Sequence, residues 1–166
     1  TTVVDVGGGH GSLGAAILKA SPHLRGVLFD KPSVVESAKA AIEAEGLAGR
    51  CELVAGDFFE SVPGGADLHF FKWIIHDWDD GRAAMVLRNC RLALAGNGKL
   101  LVVERVIPPG NGPSEGKLGD IMMLVLMGGL ERTEAEYRAL FATAGFTLTR
   151  IVTTASPFSI IEGVPV

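Results

Sequence analysis

The amino-acid sequence predicts one doubly wound α/β domain over residues 1–166, built on a mainly parallel, seven-stranded sheet. Three observations predict it. Apolar, β-rich runs alternate with helical patterns along the chain. Several of those runs are almost continuously apolar, as strands covered on both faces are. The densest cluster of glycines, Gly7, Gly8, Gly9, Gly11 and Gly14, stands where the first run passes into the first helical pattern.

Each element has a local reason. The first strand is residues 2–6, and a helix follows from near Gly11 to just before Pro22, which cannot continue it. The second strand is 26–29. The second helix opens at Pro32, a favoured first-turn residue, and Gly46 stops it; Val34, Val35, Ala38, Ala41 and Ile42 share one of its faces. Strands at 51–55 and 67–73 come next. A third helix follows Asp79-Asp80, with Ala83, Leu87, Cys90 and Leu94 in register, and a strand spans 99–104. Residues 108–116 form a Pro/Gly/Ser loop too short for a domain linker, and 120–127 read as a short, very apolar helix. The last helix begins at Thr133, where Thr133 and Glu136 make a capping-box pattern; Tyr137, Leu140, Phe141 and Ala144 form its inner stripe. Strands at 147–153 and 158–162 close the chain. Its opening residues already read as a buried strand, so a longer protein is expected.

Composition excludes several classes. The chain is 48% hydrophobic and 20% charged, with a net charge of -4, which argues against a nucleic-acid surface. Cys51 and Cys90 form no CxxC pair and no His array, so two core thiols in a reducing, cytoplasmic setting are expected. No apolar run approaches the ~20 residues of a membrane helix. His10, His23 and His69 have no metal-ligand spacing, and no metal is expected.

In such sheets ligands bind at the carboxyl ends of the strands. Gly9-x-Gly11-x-x-Gly14 after the first strand fits a nucleotide-binding turn, where glycine lets a ligand approach the backbone. Asp30, which is 21 residues after Gly9, can accept hydrogen bonds from a ribose diol; its plainer reading is a helix cap. Together they imply a nucleoside-bearing cofactor, either a dinucleotide or S-adenosylmethionine. Further polar groups follow later strands: Asp57 in Gly56-Asp57-Phe58-Phe59, Lys72 and His76 in the segment 71–80, Glu104, and then Glu131 before the last helix. His76 also reads as a cap residue, Glu104 as surface, and the Met122, Met123 and Met127 stripe as core.

Asp5-Val6-Gly7-Gly8-Gly9-x-Gly11, Gly56-Asp57-Phe58-Phe59, Lys72-Trp73-Ile74-Ile75-His76-Asp77-Trp78 and Glu131-Arg132-Thr133, in this order, resemble the plant-type small-molecule O-methyltransferase family. Its bacterial members modify polyketides and related natural products. The likeness runs from Val4 to about Phe146 and implies a Rossmann-like sheet of the class I methyltransferase type. It further implies that Asp5, Gly7 and Gly9 line S-adenosylmethionine (product S-adenosylhomocysteine), that Asp30 binds its ribose, and that Asp57, Phe58 and Lys72 surround its adenine. His76 matches the family's base, with Glu104 and Glu131 the flanking carboxylates; Asp77, Met122 and Met123 match positions facing a small aromatic, hydroxyl-bearing substrate. Lys31-Pro32 departs from a common Leu-Pro. The family's N-terminal helical domain, which makes a homodimer and covers the acceptor site, is not in this sequence. An NAD-dependent oxidoreductase explains the glycine turn and Asp30 but gives His76, Glu104 and Glu131 no shared role. A domain that binds cofactor without transferring methyl groups also stays open.

Overall fold

The computed structural model describes residues 1–110, 112, 125 and 129–166. The elements are β1 (Thr2–Val6), α1 (Ser12–Ala20), β2 (Arg25–Asp30), α2 (Pro32–Ala44), β3 (Cys51–Ala55), β4 (Ala66–Lys72), α3 (Asp80–Ala93), β5 (Leu94–Glu104), β6 (Val106–Ile107), β7 (Arg132–Thr133), α4 (Glu134–Thr143), β8 (Phe146–Thr153) and β9 (Ser159–Pro165). The main sheet has seven strands in the order β3-β2-β1-β4-β5-β9-β8. The first five are parallel, and β9 runs antiparallel to both β5 and β8. The order reverses between β1 and β4, and that switch opens the crevice where ligands bind in such sheets.

Alternation along the strands builds two cores. Val3 and Phe70 pack with Leu18, Leu28 and Ile42 under α1 and α2, while their neighbours Val4 and Phe71 pack with Leu87, Tyr137 and Phe141 under α3 and α4. Helix ends agree with their local chemistry. Asp79 caps α3 by accepting from Arg82 N–H, and Thr133 with Glu136 forms the expected capping box of α4. On the face beside α1, Leu68, Leu101, Val103, Phe158 and Ile160 are only half-buried and line an apolar groove of about 450 Å³.

Some local readings need correction. β5 begins at Leu94, ahead of the expected start at 99, because Leu94 pairs with Ala66 across a register irregularity. Ala41 is exposed, so the buried face of α2 is narrower than its periodicity implied. The two-residue β6 and β7, paired with each other, carried no sequence signal. The expected helix at 120–127, with Met122, Met123 and Met127, lies outside the described residues. No helix among the described residues is long and apolar enough to cross a membrane.

Candidate active site

The glycine turn is shaped from beneath by Asp5. This side chain is buried, and a Cβ on Gly8 would stand 2.8 Å from its Cγ, one on Gly14 3.0 Å from its Oδ2. Gly8 and Gly14 are therefore small for the sake of Asp5. Of the nucleotide-turn glycines Gly9-x-Gly11-x-x-Gly14, only Gly9 (φ 58) would point a Cβ into open space, where a ligand can approach. Burial pushes the Asp5 carboxyl up to about 7, with the Gly14 N–H pulling it down, the Asp30 charge raising it and Lys72 lowering it.

The carboxyl ends of β3, β2 and β1 bring Asp57, Asp30 and Gly7–Gly9 side by side. Asp30 is no helix cap: the N-cap of α2 is Lys31, with no side-chain bond. Instead Asp30 Oδ2 accepts from Gly9 N–H at 2.9 Å and Oδ1 from Lys31 N–H at 2.7 Å, tying β2 to the turn. Asp57 is exposed, its Oδ1 accepting from Phe59 N–H at 2.8 Å. Phe58, Phe59 and Trp78 meet edge to face, and the Asn89 amide donates to the carbonyls of both phenylalanines at 2.8 and 3.0 Å. Lys72 ends β4 exposed, its Nζ 5.9 Å from the Phe158 ring centre.

His76 sits in a short 3₁₀ turn (Ile75–Asp77) after β4, and it is buried. Its Nδ1 lies 3.1 Å from Glu131 Oε1 and its Nε2 3.4 Å from Asp77 Oδ1. Burial pulls the imidazole pKa down; the Glu131 hydrogen bond and the charges of Glu104, Glu131 and Asp77 outweigh it, so the net displacement is upward. Glu104 makes no hydrogen bond to the imidazole. Its Oε1 accepts from the N–H groups of Ile74, Ile75 and His76 at 3.1, 2.6 and 3.2 Å, and its Oε2 from the Tyr137 hydroxyl at 2.8 Å. Glu104 thus holds the backbone of the turn, and the carboxylate on the ring is Glu131. Burial raises the Glu104 carboxyl, while the Tyr137 hydroxyl, His76 and those N–H groups lower it.

Sequence reasoning gave no role to three neighbours. Arg132, fully buried, donates to the carbonyls of Ile75, Leu130 and Trp78 and to Asp80, so it braces the other side of the turn. Tyr137, part of the inner stripe of α4, also donates its hydroxyl to Glu104. Trp73 takes φ 61, a left-handed backbone costing on the order of 1–2 kcal/mol for a residue with a Cβ.

Residues 1–147 match the O-methyltransferase domain family. The chain belongs to that family. It is 47% identical over 165 residues to a phenazine O-methyltransferase of Lysobacter antibioticus, covering 99% of this chain and 48% of that protein. A solved mitomycin 7-O-methyltransferase superposes with a TM-score of 0.94 at 41% identity, over all of this chain and 49% of that one. An O-methyltransferase from neocarzinostatin biosynthesis, solved with S-adenosylmethionine and 2-hydroxy-5-methyl naphthoic acid, superposes with a TM-score of 0.90 at 36% identity, over 99% and 49%. The chain spans about half the length of the relatives it matches. These neighbours share its fold, that of the class I methyltransferases.

Proposed function

We propose that this chain is the catalytic domain of an S-adenosylmethionine-dependent O-methyltransferase. The acceptor is a phenolic hydroxyl on a small aromatic, polyketide-like molecule, and His76 is the general base. The observation that carries the reading is the buried imidazole of His76, fixed at Nδ1 by Glu131 beside the switch point of the sheet. The crevice suits the cofactor: Gly9 leaves open space next to the anchored Asp30 carboxylate. When bound, S-adenosylmethionine supplies an electrophilic methyl group whose leaving group departs neutral.

Asp30 accepts from the ribose hydroxyls, Asp57 from the adenine amino group, and Phe58 covers the ring, with Gly7, Gly9 and Lys72 bordering it. With Nδ1–H donated to Glu131, Nε2 is the atom that takes the acceptor's proton, and Glu131 stabilises the imidazolium. A phenol of pKa ~10 facing an imidazole of ~6.5 is ~3.5 units mismatched, about 5 kcal/mol for complete prior transfer. The upward displacement of His76 narrows that gap, and proton transfer accompanies attack. Asp77 faces the acceptor. The full-length protein is a cytoplasmic homodimer through an N-terminal helical domain outside this sequence; two buried free thiols support the location, and relatives of twice the length support the further domain.

The test is His76→Gln in the full-length protein. S-adenosylhomocysteine affinity should stay near wild type by calorimetry, and methyl transfer should fall by about 10²–10⁴. Wild-type turnover of a weakly acidic phenol by the variant would remove His76 from the mechanism.

A further inference from the structure

We propose that Trp73 is the positioning residue for His76: its indole lies stacked on the imidazole and keeps that ring in the plane where Nδ1 meets Glu131 and Nε2 lies beside Asp77. The inference rests on the reading of His76 as the base. Among the described residues Trp73 is the only non-glycine with positive φ. Burial does not account for it there, since it is 48% exposed. What the strained backbone achieves is a contact. The ring centres of Trp73 and His76 lie 5.7 Å apart, with the planes inclined by 25°.

The neighbours make the indole a fixed wall. Trp73 N–H still donates to Val103 O at 3.2 Å, the last rung of the ladder, and the next three N–H groups turn onto Glu104. Phe158, just ahead of β9, meets the indole edge on at 5.4 Å. Lys72 Nζ and the Arg105 guanidinium each lie 5.9 Å from the Phe158 ring centre, so two cations stand beside that brace. The charged groups facing His76 are Glu131 ahead of β7, Asp77 of its own turn and Glu104 of β5; Arg132 and Tyr137 hold the surrounding backbone and carboxylate. Glu131 meets the ring at Nδ1 by a hydrogen bond, and the indole lies stacked beside the ring. A ring that gains a proton becomes a cation, and an aromatic face attracts a cation.

The experiment uses the full-length protein with Trp73→Phe, Trp73→Leu and Trp73→Gly. His76 is followed by NMR, its imidazole signal assigned by loss in His76→Gln, and kcat and KM are measured against pH. Trp73→Leu should lower the His76 pKa by about half a unit. The low-pH limb of kcat should move by the same amount, and kcat should fall about tenfold with the KM for S-adenosylmethionine unchanged. Trp73→Phe should recover most of both losses. Trp73→Gly, which relieves the backbone, should behave as Trp73→Leu does. An unchanged His76 titration in Trp73→Leu, or wild-type behaviour of Trp73→Gly, would overturn the proposal. Full activity of His76→Gln would instead defeat the reading of His76 as base, while the NMR titration still decides whether Trp73 governs the ring.

Discussion

Asp5→Asn removes one buried ionisable group with almost no change of shape. Asp5 is 6% exposed, so solvent screens it little. Its carboxyl stands at about 7 in the folded protein, against 3.8 for an unperturbed Asp, chiefly because burial disfavours the charge. The folded state therefore keeps a proton that the unfolded chain has already lost between those values. The sign follows: this group's contribution is fully present below pH 3.8 and is lost as pH rises to about 7. The difference of 7 − 3.8 units, at ~1.36 kcal/mol each, makes the loss about 4 kcal/mol. The amide of the variant cannot ionise, yet its carbonyl can still accept from Gly14 N–H. Relative to wild type, the variant should gain about 4 kcal/mol between pH 4 and pH 8. Urea unfolding followed by circular dichroism, without cofactor, measures it. Taking the difference between the two proteins cancels the other titrating groups, such as His76 (raised) and Glu162 (lowered). A difference that does not change with pH would refute the buried, proton-holding Asp5.

Two further outcomes follow from the bonds around His76. Tyr137→Phe removes the donor to Glu104 Oε2 inside the core and should cost about 1–3 kcal/mol in urea unfolding; a cost near zero would mean that this bond adds nothing to holding the turn. In the full-length enzyme the rate should rise with pH through the His76 pKa, because only neutral imidazole accepts a proton, and that limb should lie above the ordinary value of 6.5. Glu131→Gln should move the limb down and cost less rate than His76→Gln; a limb that stays in place in pH–rate profiles would separate Glu131 from the base.

Much of this protein was legible in one dimension. The alternation of apolar strands and helical stripes named the doubly wound sheet, because strands covered on both faces must be apolar throughout. Helix starts were legible because capping is local: Asp79 and Thr133 act on N–H groups three residues away. The meeting of Gly9 and Asp30 was also legible, since they stand at the ends of neighbouring strands whose pairing the pattern implied. The division of labour between the two glutamates was not. Glu104 and Glu131 are both buried carboxylates near His76, and nothing in their local sequence says which meets the ring. That depends on how β5 and β7 are placed against the turn, with Arg132 and Tyr137 brought in from elsewhere in the chain. The same holds for Gly8 and Gly14, small because the Asp5 carboxylate lies beneath them, and for Trp73, whose left-handed backbone and stacking on His76 only the folded turn defines. Periodicity and caps are written in neighbouring residues. Which carboxylate touches which nitrogen is set by contacts across 28 and 55 residues of chain, and only the tertiary structure makes them.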